Sequence, residues 1–210
     1  MTTKKKRRTR EELLASLQGF DTQDPARNRA LEEQLWQELG AERAIFVSDL
    51  SGFTRVTKTR GILHFLAIVE RARDIGTRMF ERHGGRFLKT QADDLFALFD
   101  TAGAAAACAR AVLHEAEKLN ATLADPDAHV HFCIGIGFGR ILELADDAFG
   151  DEINVAFKLG EDLAVAHEIL VSDAAAANLR ASPTHRDLAA RLEGPLAVDA
   201  GHVQLLHWRL

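Results

Sequence analysis

The stretch HVHFCIGIGF (129–138) constrains the fold most, because two kinds of residue alternate along it without a break. Alternation with a period of two is typical of a β-strand, which presents successive side chains to opposite faces of a sheet. One face carries the bulky apolar residues Val130, Phe132, Ile134, Ile136 and Phe138. The other face carries small or polar residues, including glycines at 135 and 137, and small residues let another group approach the backbone closely.

Other periodic segments predict strands and helices on either side of this strand. The longest helix is expected at 61–83, where apolar residues recur at helical spacing from Ile62 to Phe80 and Gly84 ends the pattern. This order of elements indicates an α+β fold in which helices pack on one face of a mixed sheet. The sequence predicts further helices at 10–19, 27–40, 101–120, 152–164 (capped by Asp151) and 173–180, and strands at 44–48, 86–91, 95–99, 139–145, 168–172 and 202–210.

The composition bounds the class of protein. With 210 residues, of which 47% are apolar, the chain can form one real core, and we interpret 1–42 as a basic tail and helical extension before a domain at 43–210. No apolar run is long enough to span a bilayer, and no secretory signal is present. A net charge of −5 argues against nucleic acid as a partner, although KKKRR (4–8) is basic. Cys108 and Cys133 form no disulfide framework, and buried free thiols fit a cytoplasmic protein.

Two acidic residues follow predicted strands in matching positions. Asp49 follows the strand-like AIFV and opens the run DLSGFT, and Asp93 lies with Asp94 at the tip of the predicted hairpin GRFLKTQADDLFALF. Carboxylates at the ends of neighbouring strands can converge, and such a pair of hard oxygen ligands suits Mg²⁺ or Mn²⁺. Two ions held in this way promote phosphoryl transfer by contacting both the attacking and the leaving oxygens. At the hairpin tip, either Asp93 or Asp94 could point inward.

Three segments carry a resemblance to a known family. DLSGFT (49–54), KTQAD (89–93) and DAFGDEINVAFKL (147–159) are similar, in order and spacing, to the signature segments of the class III nucleotidyl cyclases. The resemblance implies a ferredoxin-like sheet with helices packed on it. It also implies a reaction in which the ribose 3′-hydroxyl of ATP attacks the α-phosphate and releases pyrophosphate. Two Mg²⁺ or Mn²⁺ ions per site and a homodimer with active sites at the subunit interface belong to the same expectation.

The resemblance assigns roles in the first two segments. Asp49 and Asp93 match the two metal ligands of the family. Phe53 and Thr54, in the turn after Asp49, are candidates for substrate binding, Phe53 as a wall of the nucleotide pocket and Thr54 as a contact to the triphosphate.

Two further residues match those that read the base. Lys89 corresponds to the lysine that contacts the adenine ring, and Asp147 to the residue that accepts a hydrogen bond from the adenine amino group. Guanylate cyclases generally carry glutamate and cysteine at these positions, so the lysine and aspartate favour ATP. Asp146 is an alternative to Asp147 if the register of the loop shifts.

Two positions depart from the family pattern. Asn154 matches the asparagine that orients the ribose, but Lys158 stands where the family has a transition-state arginine, one helical turn later. Lysine keeps the positive charge and lacks the planar fork that binds phosphate oxygens bidentately. Ala92 stands where glycine is usual, and alanine resists a positive φ. These departures leave two alternatives open: a nucleotide-binding or regulatory module with little turnover, or a cyclase of another nucleoside triphosphate.

Overall fold

The computed structural model describes residues 7–20, 23–200 and 203–210, which form helices around one large sheet. The α-helices are Arg10–Leu17 (α1), Pro25–Leu39 (α2), Phe53–Arg60 (α3), Ile62–Arg82 (α4), Ala102–Asn120 (α5), Asp151–Phe157 (α6), Asp173–Ala181 (α7) and Arg186–Ala189 (α8). A π-helix, Lys158–Leu163, continues α6, and 3₁₀ turns cover Pro126–Ala128 and Pro183–His185. The strands are Gly40–Leu50 (β1), Arg86–Gln91 (β2), Asp94–Phe99 (β3), Phe132–Glu143 (β4), Ala148–Phe149 (β5), Glu168–Ser172 (β6), Glu193–Ala200 (β7) and Val203–Arg209 (β8).

The sheet is mixed and is centred on β1 and β4. Within the described residues its strands pair in the order β2-β3-β1-β4-β6-β8-β7, with β5 paired to β4. β4 and β6 run parallel, and the other pairs are antiparallel. The predicted α+β class with a mixed sheet is therefore confirmed. None of the helices in these ranges is long and apolar enough to cross a bilayer.

β1 explains why helices lie on both faces of this sheet. Ala44 and Phe46 face a large core with α4, α5 and α7, whereas Ile45 and Val47 face a smaller core with α6. Since successive side chains of a strand point to opposite faces, a fully buried run needs cover on both sides. The prediction that the helices pack on one face is therefore wrong for α6, which covers the other face.

Close packing of α6 depends on the glycines of β4. A Cβ atom on Gly135 would lie 2.1 Å from the carbonyl oxygen of Ala156, in α6. A Cβ atom on Gly160, in the π-helix, would lie 3.1 Å from the backbone nitrogen of Gly135. The predicted close approach to the small-residue face of β4 is confirmed, and α6 with its π-helix is the element that approaches.

The N-terminal helices pack against the end of β4. α1 begins with a capping box, in which the Thr9 side chain accepts from the Glu12 backbone N–H and the Glu12 side chain accepts from the Thr9 backbone N–H. α2 ends where β1 begins, at Gly40. A small leucine core joins both helices to the residue that follows β4: Leu13, Leu35, Leu39 and Leu144.

Several element boundaries differ from the sequence predictions. α3 precedes the long helix and is separated from it by Gly61, whose φ of 87° is a left-handed value that favours glycine. β4 runs on to Glu143, so the predicted separate strand at 139–145 is wrong, and the short β5 pairs with the end of β4 instead. The predicted helix at 152–164 changes to π-helix at Lys158.

Two further features, the start of α6 and the strand β7, also differ from the sequence predictions. Asp151 is the first residue of α6 and not its cap, because Gly150 occupies the N-cap position without a side-chain hydrogen bond. β7 was not predicted, since Gly194-Pro195 interrupts its strand pattern. Residue 202 of the predicted closing strand, and residues 4–6 of the basic run, lie outside the described residues.

Candidate active site

Asp49 and Asp93 meet at one end of the central strands. Asp49 is the last residue but one of β1, and Asp93 lies in the turn that joins β2 to β3, the antiparallel neighbour of β1. Both residues are partly buried, and their side chains lie close enough to interact. Burial raises the pKa of Asp49 to about 6, and the negative charge of Asp93 adds to the rise. The structure therefore brings together the two carboxylates that the sequence placed at strand ends.

Two more carboxylates extend this pair into an acidic group of Asp49, Asp93, Asp94 and Glu161. Asp94 opens β3, and its side chain lies close to that of Glu161, in the π-helix. Burial, followed by the charges of Glu161, Asp49 and Asp93, raises the pKa of Asp94 to about 8. Burial also raises the pKa of Glu161. Both Asp93 and Asp94 lie near Asp49, and the choice of Asp93 as the ligand stays a prediction.

Sequence reasoning missed Glu161. Its position depends on the π-helix, which starts one residue after α6 ends and packs Gly160 against β4. A π-helix, in which backbone hydrogen bonds join residues five positions apart, has no distinctive pattern in the sequence. The acidic group therefore has a member that only the three-dimensional packing reveals.

Ala92 holds the turn beside Asp93 in a left-handed conformation. It is the first of the two residues between β2 and β3, and its φ is 53°. The left-handed region costs an L-residue about 1–2 kcal/mol, a strain that glycine avoids. The hairpin tip thus adopts a backbone that suits glycine even though alanine occupies it.

Lys89 and Asp147 form the second pair that the sequence predicted. The Nζ atom of Lys89, on β2, lies 2.8 Å from Oδ1 of Asp147, whose side chain is only 6% exposed. The same oxygen accepts a hydrogen bond of 2.9 Å from the backbone N–H of Ala148. Asp146 is exposed and accepts instead from the backbone N–H of Arg10, at 2.8 Å. Of the two adjacent aspartates, Asp147 is therefore the one that faces Lys89.

This pair lines a cavity of about 470 Å³. A donor and an acceptor for a base edge, Lys89 and Asp147, lie in the same wall as aromatic side chains. Phe149, in the short strand β5, is among them. Glu161 connects the cavity to the acidic group. The lining residues are Arg10, Lys89, Gln91, Phe96, Asp147, Ala148, Phe149, Ile153, Asn154, Phe157 and Glu161.

Asn154 and Lys158 have different surroundings. Asn154 lies on the exposed side of α6 and lines the cavity. Lys158 begins the π-helix, and its Nζ atom lies 2.8 Å from Oδ2 of Asp162. The α-helical spacing that predicted one shared face ends at Phe157, and Lys158 is not among the described residues that line the cavity.

The turn after Asp49 is exposed. Gly52 has a φ of 102°, and the backbone N–H of Ser51 donates to the carbonyl oxygen of His131. Phe53 is 48% exposed and packs edge-on against Phe65, while Thr54 is exposed on α3. Neither Phe53 nor Thr54 is among the described residues that line the cavity. Their roles in substrate binding therefore stay predictions.

The acidic group fits divalent cations that share their coordination with a substrate. No set of three or more Asp, Glu, His or Cys side chains in the described ranges forms a metal site from protein ligands alone. Mg²⁺ is usually held by one or two carboxylates together with phosphate oxygens and water. Burial and the neighbouring carboxylates raise the pKa of Asp49 and that of Asp94, and divalent cations bound there would favour the ionised carboxylates.

The architecture is that of the catalytic domains of class III adenylate and guanylate cyclases. The adenylate/guanylate cyclase/hydrolase from Silicibacter pomeroyi superposes with a TM-score of 0.62, covering 81% of this chain and 96% of that one at 24% identity. The adenylyl cyclase CyaB from P. aeruginosa superposes with a TM-score of 0.64, covering 81% and 94% of the two chains at 17% identity. The resemblance in the three sequence segments is thus matched by the fold.

A comparison of sequences also finds a cyclase among the curated proteins. The chain is 29% identical, over 136 residues that make up 65% of its length, to an adenylate cyclase of Streptomyces coelicolor. The chain spans 34% of that curated protein. No family model matches the chain. The resemblance to class III nucleotidyl cyclases is confirmed.

Proposed function

We propose that this domain is a nucleotidyl cyclase that converts ATP into 3′,5′-cyclic AMP and pyrophosphate with the help of two Mg²⁺ or Mn²⁺ ions. The observation that carries the proposal is that the fold brings two pairs of side chains together. Asp49 lies beside Asp93, and Lys89 lies beside Asp147. One pair supplies hard oxygen ligands for cations that hold a triphosphate. The other supplies a donor and an acceptor for a base edge.

The residues of the chain have distinct tasks in this reaction. Bound cations would neutralise the triphosphate and favour ionisation of the attacking 3′-hydroxyl. Asn154, at the edge of the cavity, hydrogen-bonds the ribose and holds that hydroxyl in line with the α-phosphate. Lys89 donates to a ring nitrogen of adenine, and Asp147 accepts from the exocyclic amine. This donor and acceptor arrangement is the reason that we favour ATP over GTP.

We further propose that the active form is a homodimer with its sites at the subunit interface. Four apolar side chains on α3 and α4, close to the turn after Asp49, are exposed by 48–79%: Phe53, Ile62, Leu63 and Leu66. Exposed apolar patches of this kind are typical of protein contact surfaces. A second copy would cover the patch and exclude water from the reacting phosphates.

A second candidate function follows from Lys158. Its ammonium group is paired with Asp162, and a lysine cannot bind phosphate oxygens through a planar fork. Loss of one preorganised transition-state donor typically lowers the rate by about 10²–10³. The second candidate is therefore a cyclase-like module that binds nucleotide with little turnover.

A turnover assay separates the two candidates. Purified protein is incubated with Mn²⁺ or Mg²⁺ and each of the four nucleoside triphosphates, and the cyclic product is measured. We expect cyclic AMP to form and ATP to compete best. Binding of ATP without any cyclic product would support the module, and a preference for GTP would contradict the roles of Lys89 and Asp147.

Substitution of Lys158 tests how far its geometry limits the rate. We expect Lys158→Arg to raise kcat about tenfold or more, because arginine restores a bidentate phosphate contact. The matched control is Lys118→Arg, since Lys118 forms an ion pair with Glu115 on α5, at the same 2.8 Å distance. Equal activity of the Lys158→Arg variant and the unmodified protein would show that another group already stabilises the transition state.

A further inference from the structure

We propose that the segment Arg7–Arg10, together with α1, is an inhibitory strap that competes with the nucleobase for Asp147. This inference rests on the proposed nucleotide site and adds a regulatory element to it. The strap is defined here as residues 7–17. It reaches the cavity from outside the part of the chain that resembles the cyclases, which begins at about residue 43.

Arg10 lies inside the cavity where the base is expected. Its Nη1 atom is 3.8 Å from Oδ2 of Asp147, on the carboxylate oxygen that Lys89 does not contact. The guanidinium group also lies 6.0 Å from the centre of the Phe149 ring, an aromatic wall of the same cavity. A cationic donor therefore lies beside the acceptor that an exocyclic amine would use.

The two oxygens of the Asp147 carboxylate face different cationic side chains in this arrangement. Oδ1 accepts from Lys89 and from the backbone N–H of Ala148, and Oδ2 faces Arg10. The residue as a whole is only 4% exposed. An adenine amino group that approaches Oδ2 meets the guanidinium group of Arg10, and the two donors compete for this oxygen.

Backbone contacts hold the strap against the loop that carries Asp147. The backbone N–H of Ala145 donates to the carbonyl oxygen of Arg8 at 2.7 Å. Two residues later in the strap, the backbone N–H of Arg10 donates to Oδ1 of Asp146 at 2.8 Å. One backbone–backbone hydrogen bond and one hydrogen bond from the backbone to a side chain therefore tie the strap to the loop.

Side-chain contacts that lie outside the cavity also fix the strap in place. Arg8 binds Glu38 of α2 through two hydrogen bonds, of 2.7 and 2.6 Å. Arg7 forms an ion pair of 2.9 Å with Glu143, a buried residue that also binds Arg43 and Arg86. In the described part of the basic run 4–8, both arginines are thus committed to acidic partners of the same chain.

The contact between Arg10 and Asp147 is breakable, which suits a switch more than a permanent wall. Arg10 is 56% exposed and its Nη1 atom lies 3.8 Å from the carboxylate, and exposed ion pairs typically contribute little to stability. Leu13 is the buried apolar anchor of α1, and its partners belong to α2 and to Leu144. The strap can therefore leave the cavity without disturbing the main core under the sheet.

The test measures binding of a nucleotide that cannot react. The probe is 3′-deoxy-ATP, which lacks the attacking hydroxyl, and its Kd is determined in the presence of Mn²⁺ for full chains. We expect Arg10→Ala to bind about three- to tenfold more tightly than the unmodified protein, since a competitor for Asp147 is lost. Arg8→Ala, which lies outside the cavity and only loosens the strap, should bind more tightly as well. The control is Arg78→Ala, which removes a comparably exposed ion pair on α4 and should not change the Kd.

A second readout follows the strap itself. Hydrogen exchange of the Ala145 amide, which donates to Arg8, should become faster when 3′-deoxy-ATP is added to the unmodified protein. Slower exchange on addition of nucleotide would show that the strap closes over the ligand, and would overturn the proposal. Weaker or unchanged binding by Arg10→Ala would overturn it too, since Arg10 would then contact the nucleotide or have no effect.

The outcomes distinguish the strap from the proposed function. If Arg10→Ala and Arg8→Ala bind 3′-deoxy-ATP more tightly but no chain forms a cyclic product from ATP, the strap is supported and the cyclase activity is contradicted. Cyclic AMP formation with an unchanged Kd would support the activity and overturn the strap. If no chain bound the probe, both proposals would be wrong.

Discussion

Asp94 shows how the acidic group affects stability at the scale of a single residue. Burial and the neighbouring carboxylates raise its pKa to about 8, while its ordinary value is 3.8. The folded protein therefore binds a proton at Asp94 over a pH range in which the unfolded chain has released it. The stability linked to this proton is fully present below the unfolded value and is lost as the pH rises through the folded value.

Substitution by asparagine should remove that pH dependence. In metal-free protein we expect Asp94→Asn to gain stability relative to the unmodified chain as the pH rises from about 4 to about 9, because asparagine does not ionise. Thermal unfolding across this pH range measures the difference in Tm. Asp74→Asn, a change at an exposed aspartate on α4, is the control and should show no such rise. A difference in Tm that stays constant across the range would contradict the raised pKa of Asp94.

Ala92 permits a second prediction at this scale. Because its φ of 53° strains an alanine and not a glycine, Ala92→Gly should raise the free energy of unfolding by about 1 kcal/mol. Ala177→Gly, on the exposed side of α7, should lower it by about the same amount, since glycine is unfavourable inside a helix. Denaturant titration measures both changes. Destabilisation by Ala92→Gly would mean that the turn is not strained.

The residues of the site differ in how well the sequence predicted them. Asp49 and Asp93 follow strand-like runs, and neighbouring strands bring such residues to one sheet edge, so their convergence could be predicted. Lys89 and Asp147 could be named only through the resemblance to a family. Glu161 and Arg10 could not be predicted at all, because each reaches the site through packing of an element far away in the chain.

At the scale of elements, periodicity predicted what local interactions determine. The apolar stripe of α4 and the alternation in β4 each specify one element, and both elements form. The end of β4 was placed wrongly because alternation fades after Phe138, while pairing with β1 continues to Leu142. β7 and the π-helix depend on their neighbours in space, and their own residues give no clear signal.

The contact between β4 and α6 gives a prediction at this scale. In Gly135→Ala the new methyl group would meet the carbonyl oxygen of Ala156, which is backbone and cannot move aside alone. We expect this variant to lose about 2–3 kcal/mol of unfolding free energy and to bind nucleotide weakly, since α6 carries Asn154. Gly139→Ala is the milder comparison, because its methyl group would meet the flexible side chain of Glu152. Similar stability of the two variants would show that α6 can shift freely.

At the scale of the whole molecule, the proposed homodimer predicts complementation between inactive chains. If Asp49 of one subunit and Asn154 of the other act on the same nucleotide, an equimolar mixture of Asp49→Asn and Asn154→Ala should recover activity that neither variant has alone. Random pairing makes half of the dimers mixed, and each mixed dimer has one intact site, so recovery should reach about a quarter of the unmodified activity. Turnover of the mixture measures it, and a mixture as inactive as its components would contradict sites shared between subunits.

The account depends most on Asp49 and Asp93 holding cations together with a triphosphate. The direct measurement is titration of Mn²⁺ by electron paramagnetic resonance, with 3′-deoxy-ATP present, for the unmodified protein and for Asp49→Asn and Asp93→Asn. The account predicts two Mn²⁺ ions per site in the unmodified protein and at least about a tenfold weaker Kd in each variant. Equal Mn²⁺ binding by all three proteins would contradict it.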